Sequence, residues 1–368
     1  MIISRTPFRI SFFGGGSDFP QWYTENGGAV LASSINRYSY TSCRKRPPFF
    51  EHRHRIVYSK IENINSFDEA EHRSVRSVMK TLGYEGPRGY GIEIHHAGDL
   101  PARSGIGANS AFTVGLINAV YGLKYQTISK QDLAQKAAYI EQEVAKEIVG
   151  SKDQILAAQG GFLHIQFQKD GKHKIHVVSD KDRLEQLNSK LMLYFIGSNK
   201  ENKITQQDVC TYLDRARSIQ KLQDQAELGL QIIEGQHSLD DFGLLMLESW
   251  KTKLELSPNM TNEKIDSILD IGLRNGALGG KALGSGCGGF VLFYVPEEKQ
   301  ILVRKALEGY TEVNFEFEQK GSQIVFYDPN VDEDSYPNFL RHLPSYRSAL
   351  DVSLPQYEYG SFWKAVDQ

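Results

Sequence analysis

The amino-acid sequence predicts an α+β fold, on three observations. Strand-like apolar runs crowd the first third, helical patterns fill most of residues 206–275, and strands return towards residue 327. Strands gathered together, with helices grouped between them, favour α+β over strict βαβ alternation. With 368 residues the chain has core enough for two domains, or one large elaborated one, without covalent staples.

The first strands are read at residues 8–13, 29–35, 55–59 and 91–96. One helix interrupts them: Ser66 can cap it with Glu69 three residues on. Val75, Val78, Met79 and Leu82 form one stripe, and Gly83 stops it. A nearly all-apolar helix covers about 109–120, and another runs from Ser129, with Asp132 in its first turn, to about 148. Strands follow at 162–167 and 191–196. After the helical stretch come a glycine-rich turn, a strand at 290–295, a helix near 298–309 and strands at 313–317 and 323–327. The expected organisation is 1–190 as a nucleotide-binding domain, 191–328 as a second domain and 329–368 as an aromatic-rich extension docked on the body.

Composition narrows the function classes. Lys+Arg 42 against Asp+Glu 45 gives a net charge of −3, so no global charge argues for nucleic acid or an anionic membrane as partner. The three cysteines, Cys43, Cys210 and Cys287, are odd in number and far apart, which fits a reducing compartment and neither a disulfide framework nor a zinc site. The start lacks a signal-peptide pattern, and runs such as 191–196 are far too short to span a bilayer. The expectation is a soluble cytoplasmic protein.

The most informative segment is Asp99-Leu-Pro-Ala-Arg-Ser-Gly-Ile-Gly-Ala-Asn-Ser-Ala111. A strand runs into a turn whose two glycines open onto the apolar helix. A buried helix N-terminus must find partners for its N–H groups, and phosphate is the natural one. No Lys-Ser/Thr follows the glycines, so this is not a Walker A loop. A second glycine site, Phe13-Gly14-Gly15-Gly16-Ser17-Asp18, places a carboxylate beside backbone stripped of side chains. Three glycines exceed what a turn needs, which favours a polar ligand with Asp18 accepting from its hydroxyls. The third, Gly284-Ser-Gly286-Cys-Gly288-Gly289, matches G-x-G-x-x-G by letter but has a helix before and a strand after, the reverse of the dinucleotide order. Asp241-Phe242-Gly243 imitates a protein-kinase signature without its companions and is set aside as chance.

Phosphoryl transfer to an alcohol needs a carboxylate near the hydroxyl, a metal ligand and a cation. Asp153, in Val149-Gly-Ser-Lys-Asp-Gln-Ile, lies in a helix first turn, where an acid often only complements the dipole. Glu141 sits beside the apolar stripe of the preceding helix, with Glu143 competing for any role. Arg9 is the lone charge in its strand: inward it must meet an anion, outward it is an edge cation. The dense basic run Arg44-Lys45-Arg46 and His52-Arg53-His54-Arg55 suits a substrate phosphate or a solvated loop.

With three glycine loops in this order, and Asp153 between the second and third, the chain resembles the GHMP small-molecule kinase superfamily. The stretches from Thr6 to Asp18, Tyr58-Ser-Lys-Ile-Glu62 and Gly150-Ser-Lys-Asp-Gln154 resemble its D-glycero-D-manno-heptose 7-phosphate kinase branch. The resemblance covers about residues 1–328 and implies an N-terminal α+β domain, a ferredoxin-like C-terminal domain and an active site in the cleft between them. It implies ATP and Mg²⁺ as cofactors and a small sugar phosphate as substrate, with oligomeric state open, a homodimer included.

Carried onto this chain, the resemblance makes Asp153 the catalytic carboxylate and Arg9 the cation that keeps it ionised. The loop Arg103, Ser104, Gly105, Ile106, Gly107, Ala108, Asn109 and Ser110 would wrap the ATP phosphates, and Glu141 would hold Mg²⁺. Gly14, Gly15, Gly16, Ser17 and Asp18 would meet the sugar, as would Gly286, Cys287 and Gly288 from the facing loop. The family loop usually reads Gly-Leu-Gly-Ser-Ser, whereas here Gly105-Ile-Gly-Ala-Asn109 precedes Ser110. Either Asn109 or Ser110 can offer the metal a hard oxygen, or metal binding is weakened. The implied reaction is phosphorylation of a heptose 7-phosphate at its anomeric hydroxyl. A kinase for galactose, fucose or a uronic acid, and a catalytically weak nucleotide- or sugar-binding homologue, are the alternatives.

Overall fold

The computed structural model describes residues 1–48, 50–86, 90–102, 104–198, 215–284 and 288–328. In chain order the strands are β1 (Ile2–Phe13), β2 (Gly28–Arg46), β3 (His54–Val57), β4 (Ile61–Ile64), β5 (Gly91–Gly98), β6 (Phe162–Phe167), β7 (His173–Val177), β8 (Leu191–Ser198), β9 (Gly279–Ala282), β10 (Gly288–Tyr294), β11 (Thr311–Glu312) and β12 (Gln323–Tyr327). The helices are α1 (Pro20–Asn26), α2 (Arg73–Leu82), α3 (Ala108–Leu123), α4 (Lys130–Tyr139), α5 (Lys152–Gln159), α6 (Lys181–Ser189), α7 (Ala216–Ile233), α8 (Leu239–Leu254), α9 (Glu263–Arg274) and α10 (Gln300–Ala306).

Two sheets organise the molecule. The larger has the order β12-β1-β2-β5-β3-β4, with β6 and β7 branching from β2; the smaller is antiparallel, β11-β8-β10-β9. The 19-residue β2 allows the branch, because residues 28–33 pair with β6 and residues 39–46 pair with β5. Helix α3 is buried on almost every side between the sheet and other helices, as its apolar composition demands. The α+β reading holds, and the second half is helical from α7 to α9.

The lobes meet through aromatic rings. Phe242 of α8 packs edge-on against Phe12 and Phe13 at the end of β1, with centroids 5.3 and 4.9 Å away. Gly229 of α7 lies so close to Phe13 that an added Cβ would come within 2.5 Å of its ring. The Asp241-Phe242-Gly243 triplet is therefore a core wedge, as its Phe242 is fully buried.

Several boundaries differ from expectation. Ser66 caps only a 3₁₀ turn, Phe67–Glu69, and α2 starts at Arg73 with no side-chain cap; Gly83 does end it, in the left-handed region at φ 56°. Ser129 caps α4 as expected, but that helix yields to a π turn, Ile140–Val144, and ends short of 148. Residues 313–317 form no strand; Phe317 makes a single bridge to Ile35. The final strand, expected in the second domain, pairs antiparallel with β1, Ile2 opposite Tyr327 and Arg5 opposite Gln323. Its partner lies at the other end of the sequence, which local periodicity does not encode. The extension 329–368 lies outside the described residues.

Candidate active site

The residues singled out by sequence converge where β1, the N-terminus of α3, α5 and the β9–β10 turn meet. Arg9 points inward from β1. Its Nε and Nη2 donate to Asp153 Oδ1 and Oδ2 at 2.7 and 2.5 Å, and its Nη1 donates to the Gly105 carbonyl at 2.6 Å. Burial alone would raise the Asp153 pKa, but Arg9 and Lys152 outweigh it and hold it down at about 2. The carboxylate is thus ionised throughout the neutral range.

Gly105 and Gly107 adopt left-handed φ values of 83° and 74°, and Gly107, just before α3, gives that helix no side-chain cap. Successive backbone N–H groups in such a turn form an anion-binding concavity reinforced by a 16-residue helix dipole. The loop also touches the third glycine turn. A Cβ on Gly105 would come within 2.4 Å of the Leu283 carbonyl, one on Gly284 within 2.4 Å of Gly105 Cα, and one on Gly289 within 2.2 Å of the Ser104 carbonyl. The facing glycines are there because two backbones approach too closely for side chains. Arg103, Gly286 and Cys287 lie outside the described residues, and Gly288 opens β10.

Glu141 is buried in the π turn, a device that re-aims a side chain out of helical register. Its Oε2 accepts from the Ser110 hydroxyl at 2.9 Å and from the Gln154 amide at 2.5 Å. Burial pushes its pKa up to about 7, only partly opposed by the Gln154 amide and the Thr113 and Ser110 hydroxyls. Its Oε1 is sealed from solvent without a well-formed hydrogen bond. A buried carboxylate oxygen left over beside a serine hydroxyl, next to a phosphate-type concavity, is a donor set that fits Mg²⁺. Of the two oxygen candidates, Ser110 meets Glu141, whereas Asn109 is exposed. Glu143 is exposed and paired to Lys146, so it drops out of the competition.

In the first glycine loop Asp18 is fully buried. Its Oδ1 accepts from the Gly16 N–H at 3.1 Å and its Oδ2 from Lys152 Nζ at 2.8 Å, while its carbonyl takes the Ser151 N–H. Ser17 is spent on the Gly14 and Ala29 carbonyls, which makes it a structural pin of the loop. Gly14, at φ 80°, lies against the Ala29 carbonyl, and Gly15 and Gly16 complete the bend towards Asp18.

Three lysines were not singled out. Lys152 lies 3.7 Å from Asp153 Oδ1 and bridges it to Asp18. Lys281 is buried on β9 and donates to the Phe12 carbonyl across the cleft at 2.5 Å. Lys253 of α8 donates to the Gly284 carbonyl. Burial, then the charges of Lys253, Lys152 and Arg9, push the Lys281 pKa well below its usual value. The one sequence signal was Gly279-Gly-Lys-Ala-Leu283, a charge inside an apolar stretch.

Comparisons with known proteins find similarity to kinases. The family described as GHMP kinases N terminal domain matches residues 72–161, and GHMP kinases C terminal matches residues 230–311. The chain is 26% identical over 339 residues to D-glycero-alpha-D-manno-heptose 7-phosphate kinase of Campylobacter jejuni, covering 87% of this chain and 97% of that one. It shares the fold of a D-glycero-D-manno-heptose 1-phosphate kinase from Bacteriodes thetaiotaomicron, with TM-score 0.69, 21% identity and coverage of 88% and 98%. Lactococcus lactis galactokinase in complex with galactose has TM-score 0.66, 18% identity and coverage of 88% and 94%. Among the described residues no helix is long and apolar enough to cross a membrane. With GHMP kinase models matched in order in its N-terminal and C-terminal parts, the chain is similar to the GHMP kinases, and it is a phosphotransferase with an alcohol group as acceptor.

Proposed function

We propose that this chain uses ATP and Mg²⁺ to phosphorylate the anomeric hydroxyl of D-glycero-D-manno-heptose 7-phosphate in the cytoplasm, towards nucleotide-activated heptose. The observation that carries the reading is the charge of the cleft. Arg9, Lys152, Lys253 and Lys281 influence one another there against two acids, Asp18 and Asp153. Even with the buried Glu141 added, basic groups outnumber acids there, which suits an acceptor that carries its own phosphate beside a triphosphate donor. The similarity to a heptose 7-phosphate kinase supports the same acceptor.

In this reading the N–H groups of residues 105–110 cradle the ATP phosphates. Glu141 and Ser110 would hold Mg²⁺, which supplies charge neutralisation on the phosphates. Each Asp153 oxygen accepts one bond from Arg9 and keeps a second lone pair, to which the acceptor hydroxyl donates. A carboxylate with pKa about 2 is a weak base, so its main work is orientation. The hydroxyl proton passes to it only as the oxygen–phosphorus bond forms. Arg9 spreads the developing charge, Asp18 accepts from sugar hydroxyls, and Lys281 and Lys253 face the acceptor's phosphate.

ADP release across heptose 7-phosphate, unphosphorylated heptose, galactose, fucose and a uronic acid tests this. Turnover is expected to require the phosphorylated sugar, and Lys281→Met to raise its KM about 10-fold or more with little change in KM for ATP. Equal turnover of unphosphorylated sugars would assign another acceptor. Tight binding of ATP and sugar without ADP release would make the chain a sensor.

A further inference from the structure

The basic run of β2 and β3 stands apart from the cleft. The phosphate loop follows Gly98 at one end of β5, whereas Arg44, Arg46 and Arg55 flank the other end, about 20 Å away at ~3.3 Å per residue. Register sets Arg46 opposite Gly91, and Arg44 and Arg55 on either side of Glu93. Strand alternation therefore gathers these three arginines and Glu93 on one face of the sheet.

Two acids of this region, Glu93 and Glu85, are already engaged. Glu93 Oε2 accepts twice from Arg44, at 3.0 and 2.7 Å, and its Oε1 pairs with His95 at 2.7 Å. Arg53 pairs with Glu85 at 2.6 Å and donates to the Tyr90 carbonyl. The guanidinium groups of Arg46 and Arg55 make no hydrogen bond or ion pair among the described residues, and the Nε of each is sealed from solvent. Arg46 is only 6% exposed, with the Phe50 ring stacked 4.0 Å from its guanidinium carbon. Arg46, aromatic-stacked and covered, and Arg55 across β5 thus lack a carboxylate bonded to them on this face, which an added anion would supply.

We propose that Arg46 and Arg55 form a second anion site, which takes the phosphate group of a small phosphorylated molecule. Two guanidinium forks on one face, from the strands flanking β5, offer more donors than one carboxylate accepts, whereas a phosphate dianion can accept from both and balance both charges. The site is separate from the catalytic cleft and does not depend on the sugar that the enzyme phosphorylates.

The test titrates inorganic phosphate into the full chain with its phosphate loop saturated by a non-hydrolysable ATP analogue, following the arginine Nε–H signals and the heat. Besides any phosphate held by Lys281 and Lys253 in the cleft, one phosphate is expected to bind here, read from the shifts of the Arg46 and Arg55 signals. Arg55→Gln and Arg46→Gln should each weaken binding about 10-fold or more and leave the analogue's affinity unchanged. If Arg46→Gln does not fold, Arg55→Gln and Arg46→Lys carry the test, the latter keeping charge but losing the fork. Parallel titrations with a hexose 6-phosphate tell a phosphate ester from the bare anion as the preferred ligand. Absence of binding in the wild type, or undiminished binding in Arg55→Gln, would overturn the site.

Discussion

Arg9 grips both oxygens of Asp153 and, with its remaining nitrogen, the carbonyl of Gly105, so one guanidinium ties the candidate catalytic carboxylate to the phosphate loop. Asp153→Asn should lower kcat by about 10³-fold or more while the affinity for an ATP analogue changes little. Wild-type-like turnover in that variant would remove Asp153 from the mechanism.

The same contact sets a pH signature. In the wild type Asp153 stays ionised down to about pH 2, so it contributes no acid limb to kcat/KM near neutrality. In Arg9→Ala burial would raise its pKa with only Lys152 opposing, and an acid limb should appear at higher pH, together with a kcat loss of about 10²-fold. A pH–rate profile of the variant superimposable on the wild type's would show that Arg9 does not tune this carboxylate.

Metal dependence should follow Glu141 and Ser110. Glu141→Gln is expected to raise the Mg²⁺ concentration for half-maximal activity about 10-fold or more, Ser110→Ala less, and Asn109→Ala hardly at all. Magnesium titrations of the three variants check the order. A larger effect at Asn109 would transfer the ligand role to that exposed amide.

Where backbones touch, methyl groups should hurt. Gly284→Ala places a Cβ within 2.4 Å of Gly105 Cα at a φ of 67°. A loss of about 1–3 kcal/mol in stability is expected, with a raised KM for ATP because the phosphate loop must shift. Denaturant unfolding and initial-rate kinetics separate the two effects.

Two histidines should make the fold acid-sensitive. Burial, aided by the Arg53 and Arg46 charges, lowers the pKa of His54 to about 4; burial and His72 do the same to His96. His54 Nδ1 accepts from the Ile92 N–H, a bond that the neutral ring makes. Because both folded pKa values lie below the ordinary 6.5, their contribution is complete above that value and is lost as pH falls from about 6.5 through 4. Tm should decline across that window, and NMR titration should find both rings neutral at pH 5.5. Midpoints near 6.5 would refute the burial argument.

Much of this was legible because its cause is local. The all-apolar α3, the stop at Gly83, the cap at Ser129 and the excess glycines each follow from the residues beside them. The direction in which Arg9 points was not, since a lone charge on a strand has two faces open to it. Nor was the π turn that aims Glu141, because one inserted residue leaves the apolar pattern nearly intact. The strand β9 is four residues long and its Lys281 resembles a turn lysine; only the packing of two lobes buries it. Ser66 shows the converse, a capping signal satisfied by a short turn before the helix.

The pairing of β12 with β1 has a consequence for biosynthesis. Residues 2–5 find their neighbour only at residues 323–327, so a ribosome must deliver almost the whole polypeptide before that border of the sheet is closed. Until then the nascent protein carries an unprotected strand flank able to recruit other chains. A fragment truncated near residue 190 would keep that flank permanently open, and aggregation rather than a folded half-enzyme is what it should yield.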